Sequence, residues 1–80
     1  MKTKSLIAAV KKAGLKVEQV QNNRYLVTGT GQHDGGFTDQ DGDAVVVWYK
    51  TKGEESDISI DYFVKTYVKS ITRFIQEMQS

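Results

Sequence analysis

Among the residues of this 80-residue chain whose types could do chemistry, the acids around Gly42 come first. Asp39, Asp41 and Asp43 alternate there, as carboxylates around a calcium ion do. An EF-hand loop needs glycine at its sixth position and a bidentate glutamate at its twelfth. Counted from Asp39, those positions carry Ala44 and Lys50, so the match fails. A hairpin tip is the better reading: Asp41-Gly42 suits a type I′ turn, and the flanking carboxylates solvate it. His33, the single histidine, stands beside Asp34 in a stretch rich in glycine. As a general base it would need a nucleophile and an orienting group converging on it, and a solvated loop position is the simpler reading. Glycines at 29, 31, 35 and 36 invite comparison with a phosphate loop. The G-x-x-x-x-G-K-[ST] pattern is absent, and the stretch precedes a strand where a phosphate site needs a helix N-terminus.

Two charged groups could recognise a partner. Glu54, Glu55 and Asp57 form an acidic run just ahead of Asp61. Together with Asp39, Asp41 and Asp43 they make a candidate acidic interaction patch, which could mimic nucleic acid toward a basic protein site. Lys65, Lys69 and Arg73 recur at helical spacing, and with Lys11, Lys12 and Lys16 they make a candidate basic face. Three basic groups alone neutralise too few phosphates for tight binding, so a nucleic-acid reading needs both sets. The net charge of +1 hides a segregation. Residues 1–30 carry +5, residues 31–64 carry −6 and residues 65–80 carry +2.

The elements that must position these groups follow from periodicity. Leu6, Ile7, Val10 and Ala13 form one apolar helical stripe. Thr3 or Ser5 can cap it, Lys11 and Lys12 suit its last turn, and Gly14 suits the left-handed position after it. Lys16 to Gln21 and Arg24 to Thr28 read as strands joined at Asn22-Asn23, a pair that tolerates positive φ. Gly29 to Gly36 reads as a mobile loop and Phe37 to Gln40 as a short strand. The strongest strand is Ala44 to Tyr49, β-branched and aromatic, with Ala44, Val46 and Trp48 on one face and Val45, Val47 and Tyr49 on the other. Packing is the expected role of Trp48 and Tyr49, ahead of base stacking. A polar connection, Lys50 to Asp57, leads to a helix of about twenty residues, roughly 30 Å long, starting at Ser59. Ile58 can staple onto Phe63 at its cap, and Ile60, Phe63, Val64, Tyr67, Val68, Ile71, Phe74, Ile75 and Met78 carry its apolar spacing.

The order α-β-β-(β)-β-α with short links predicts an antiparallel meander with both helices on one face, a two-layer α+β sandwich. Residues 1–80 have room for one domain. With no cysteine there is no disulfide framework or thiolate metal site, which fits a reducing cytosol and a cytoplasmic location. No apolar run reaches membrane-spanning length, and no cofactor or metal is expected.

Two resemblances emerge. Ser5-Leu6-Ile7 through Lys12-Ala13-Gly14-Leu15, followed by strands, is similar to the opening of HicA-like toxin ribonucleases, which share the topology of double-stranded-RNA-binding domains. Their active histidine lies in a Gly-Ser-His stretch at the first hairpin, where this chain has Asn22, Asn23, Arg24 and Tyr25. Ribonuclease activity therefore does not carry over. The basic cluster opening the last helix of double-stranded-RNA binders is replaced by Ile58-Ser59-Ile60-Asp61. Gly14-Leu15-Lys16-Val17, Tyr25, Asp39 to Ala44, the Val45–Trp48 strand and Asp57 with Asp61-Tyr62-Phe63 resemble small bacteriophage proteins of no established activity. That resemblance implies a phage or prophage origin.

The expected function is a non-catalytic binding protein, a phage accessory or host-takeover factor that covers a surface of a host or phage protein, with homodimerisation an open option. The alternative is an RNA- or DNA-binding module using the basic face of the two helices.

Overall fold

The computed structural model describes residues 1–53 and 66–80. Helix α1 (Thr3–Lys12) leads into strands β1 (Lys16–Gln21), β2 (Arg24–Thr28), β3 (His33–Gln40) and β4 (Asp43–Thr51). A two-residue strand β5 (Thr66–Tyr67) and helix α2 (Ile71–Met78) follow. The sheet order is β1-β2-β3-β4-β5 with antiparallel neighbours, the meander that short links impose. Leu6 and Val10 of α1 share one buried cluster with Phe74 and Met78 of α2 and with Leu15, Val27, Phe37 and Val47. Both helices therefore cover the same sheet face, and the fold is the expected two-layer α+β sandwich.

Helix α1 forms where the apolar stripe predicts, with Gly14 at φ 84° after it. Its cap differs. Lys2 is the N-cap and makes no side-chain cap bond, while the buried Thr3 donates its hydroxyl to the Asp39 carboxylate. The β3–β4 turn is as expected, since Asp41 and Gly42 both have positive φ, at 55° and 90°. Asn22 and Asn23 turn without positive φ. There a register shift between Gln19 and Gln21 supplies the added twist.

Three expectations fail, each for a tertiary reason. The helix expected from Ser59 does not run through 66–70. Thr66 and Tyr67 instead pair with Tyr49 and Trp48, and Val68 donates to the Val47 carbonyl at 2.8 Å. Ser70 then caps α2 by accepting from the Arg73 N–H at 3.3 Å. Ser59, Asp61 and the Ile58–Phe63 staple lie outside the described residues. The mobile loop expected over Gly29–Gly36 also shrinks, because β3 begins at His33 and the polar connection expected from Lys50 begins only after Thr51. Gly35 and Gly36 belong in that strand because neighbours press on both of its faces. A Cβ at Gly35 would lie 2.8 Å from Phe74 Cε1, and one at Gly36 would lie 2.5 Å from the Trp48 ring.

The third failure is the face assignment of β4. Between Phe37↔Val47 and Asp39↔Ala44 the register shifts by one residue, so β4 carries a bulge at Val45-Val46. Ala44 thereby joins Val47 and Tyr49 on the core face. Val45, Val46 and Trp48 are left on the other.

Candidate interaction surfaces

The sheet face away from the helices is partly apolar. Cross-strand partners share a face, so Glu18, Leu26, Gly36, Trp48 and Tyr67 form one row across it. Trp48 is only 4% exposed, its ring lying over Gly36, which bears out packing as its role. Around it Leu26 is 38%, Val46 37%, Val45 53% and Tyr67 61% exposed. Sequence reasoning singled out the two apolar faces of β4 but missed Leu26 and Tyr67. The signal for Leu26 was present: in Arg24–Thr28, alternation puts Tyr25 and Val27 inward and leaves Leu26 facing out. Tyr67 was absorbed into the apolar spacing of a helix that does not form there.

The acidic candidates divide. Asp39 accepts from Thr3, and Asp43 pairs with Lys2 at 3.3 Å, so both hold the start of α1. Backbone bonds reinforce the seat, Thr3 N–H to Gly42 O at 2.9 Å and Ala44 N–H to Met1 O at 2.8 Å. Asp41 is exposed at the turn. Glu54, Glu55 and Asp57 lie outside the described residues. Among the described residues, no group of three or more His, Asp or Glu side chains could hold a metal ion.

The glycine stretch receives the end of α2. Thr30 N–H bonds the Met78 carbonyl at 2.9 Å and Gln32 N–H bonds the Ser80 carbonyl at 2.7 Å. Gly29 and Gly31 lie against those same carbonyls, with no room for a Cβ. His33 is half-buried beside them. Its Nδ1 is 3.1 Å from the Glu77 carbonyl, which can only accept, so Nδ1 carries the hydrogen. Its ring meets Tyr49 edge-on at a centroid distance of 5.2 Å, and the Glu77 carboxylate stands 4.0 Å from Nδ1. Asp34 accepts from Gly29 N–H at 3.1 Å, and Lys52 donates to the Gly29 carbonyl at 2.7 Å. In this setting the histidine is a strut between β3 and α2, not the solvated loop residue expected.

The basic candidates also divide. Lys11 and Lys16 line a groove of about 490 Å³ beside β1. Lys69 and Arg73 line another, of about 290 Å³, at the start of α2. Lys12 is exposed at the end of α1 and Lys65 lies outside the described residues. Lys69 precedes α2, so it does not continue a helical stripe with Arg73, whose Nε is 3.9 Å from Glu77. Among the described residues Lys4, Lys11, Lys12 and Lys16 make no ion pair. No described helix is long and apolar enough to cross a membrane. Compared with protein-family models, curated proteins and solved structures, the chain matches none.

Proposed function

We propose that this chain is a non-catalytic binding protein that acts by laying the sheet face opposite α1 and α2 against another protein. The observation that carries the reading is the exposed apolar group Val45, Val46, Leu26 and Tyr67 on that face. Soluble domains rarely leave large apolar groups together on a surface unless something covers them. The polar groups around the glycine stretch support the reading in another way. His33, Asp34 and Lys52 are engaged in holding the glycine loop to its neighbours. A phage accessory or host-takeover role is the biological setting that the sequence resemblance implies.

The test compares wild type with a Val46→Lys/Tyr67→Lys variant, both exposed positions, in sedimentation and in pull-down from a bacterial lysate. The reading expects a partner, or a second copy, that wild type retains and the variant loses. A wild type that stays monomeric and captures the same proteins as the variant would overturn it. Binding of RNA or DNA over both helices, the alternative, would instead give a mobility shift that weakens steeply with salt.

A further inference from the structure

Among the described residues, strand β1 stands at one side of the sheet and pairs only with β2. Among the described residues its outward backbone groups have no partner. A free edge of this kind is a template for an added strand. Its regular part is short, because the register shift at Val20 ends it after Gln19. Along that part runs the groove of about 490 Å³, lined by Leu15, Val17 and Leu26 as well as by Lys11 and Lys16. Among the described residues, the groove thus combines backbone groups without a strand partner, apolar side chains and two lysines that make no ion pair. Among the described lining residues Glu18 is its one acid, and Lys12, next to Lys11 at the end of α1, is exposed.

We propose that the β1 edge docks an extended acidic segment of a partner protein, added antiparallel or parallel to Lys16–Gln19. In an alternating segment the carboxylates would share the sheet face of Lys16, and the apolar residues would share that of Val17. The charge argues for this occupant over a second copy of the chain, whose own β1 edge would bring the same positive region against this one. This surface meets the sheet face opposite α1 and α2 at Leu26, but Val46 and Tyr67 do not line the groove, so the Val46→Lys/Tyr67→Lys variant leaves its lining intact. Either reading can therefore fail without the other.

The experiment titrates the isotope-labelled chain, at low salt, with a short capped peptide of alternating glutamate and valine. A lysine–valine peptide and a single-stranded oligonucleotide serve as the other arms. Saturable amide shifts along Leu15–Gln19 with the acidic peptide alone are expected. Lys16→Glu, at an exposed position, should weaken that binding about tenfold, as loss and reversal of one close charge pair does. Lys69→Glu, in the other groove, should leave it unchanged. Equal shifts from both peptides, shifts away from β1, no shifts, or displacement of the peptide by the oligonucleotide would each sink the proposal. Retained amide dispersion in the Lys16→Glu spectrum separates lost binding from lost folding.

Discussion

At the β3–β4 turn the sheet holds α1 through side chains as well as backbone, whereas at the other end of β3 glycines let it meet the backbone at the end of α2 directly. The first seat uses the Thr3 hydroxyl on Asp39 and the Lys2 ammonium on Asp43, beside two backbone bonds. The second uses the Thr30 and Gln32 amides on the Met78 and Ser80 carbonyls, with glycines at 29 and 31 so that the chains can touch. The two kinds of seat differ in tolerance. A side-chain anchor loses one interaction when truncated, and an exposed one is screened by solvent. A glycine seat has no slack, because any added Cβ meets backbone atoms that cannot rotate away.

The contrast is sharpest at Gly29, where a Cβ would meet the His33 carbonyl and lie 2.6 Å from the Met78 carbonyl. Gly29→Ala should cost about 2–3 kcal/mol, the upper part of the range for overpacking. Urea unfolding measures this, and hydrogen exchange should show Thr30 and Gln32 losing protection first. A loss below about 0.5 kcal/mol would mean the loop yields as freely as a side chain does.

Asp39→Ala should cost about 1–2 kcal/mol, because it leaves the buried Thr3 hydroxyl without its acceptor. The double variant Thr3→Val/Asp39→Ala should recover much of that loss, since both polar partners are then gone. Additive losses in that cycle would show that the pair is not coupled. Gly42→Ala, at φ 90°, should cost about 1 kcal/mol through backbone strain, read from the same unfolding midpoints. Lys2→Ala should change stability by less than about 0.5 kcal/mol. The Lys2 side chain is 73% exposed, so added salt should erase even that difference. A Lys2 effect as large as that of Gly29 would erase the distinction between the two ends.

The candidate sites were legible in composition and hidden in geometry. Alternating aspartates around Gly42 identify a turn, and the turn is there. That Asp39 serves a threonine 36 positions earlier leaves no trace in local spacing. The glycines from 29 to 36 announce an unusual backbone. Only the approach of α2 and of Trp48 shows which chains they admit. Lysines counted together in the sequence proved to line two grooves, because Lys11 and Lys69 belong to elements whose relative placement is not local information.

By itself, the sequence determined the order from α1 through β4, the meander, the shared face of the two helices and the buried stripe of α1. Those follow from periodicity, short links and turn residues, all of which act over a few positions. The tertiary structure alone decided that 66–67 pair with β4 before α2 begins, and that β3 extends back through two glycines. It also decided that a bulge turns Val45 and Val46 outward and that, among the described residues, β1 pairs on one side alone. In each case, groups far apart along the chain compete for the same backbone bond or the same space, and only the assembled fold resolves the competition.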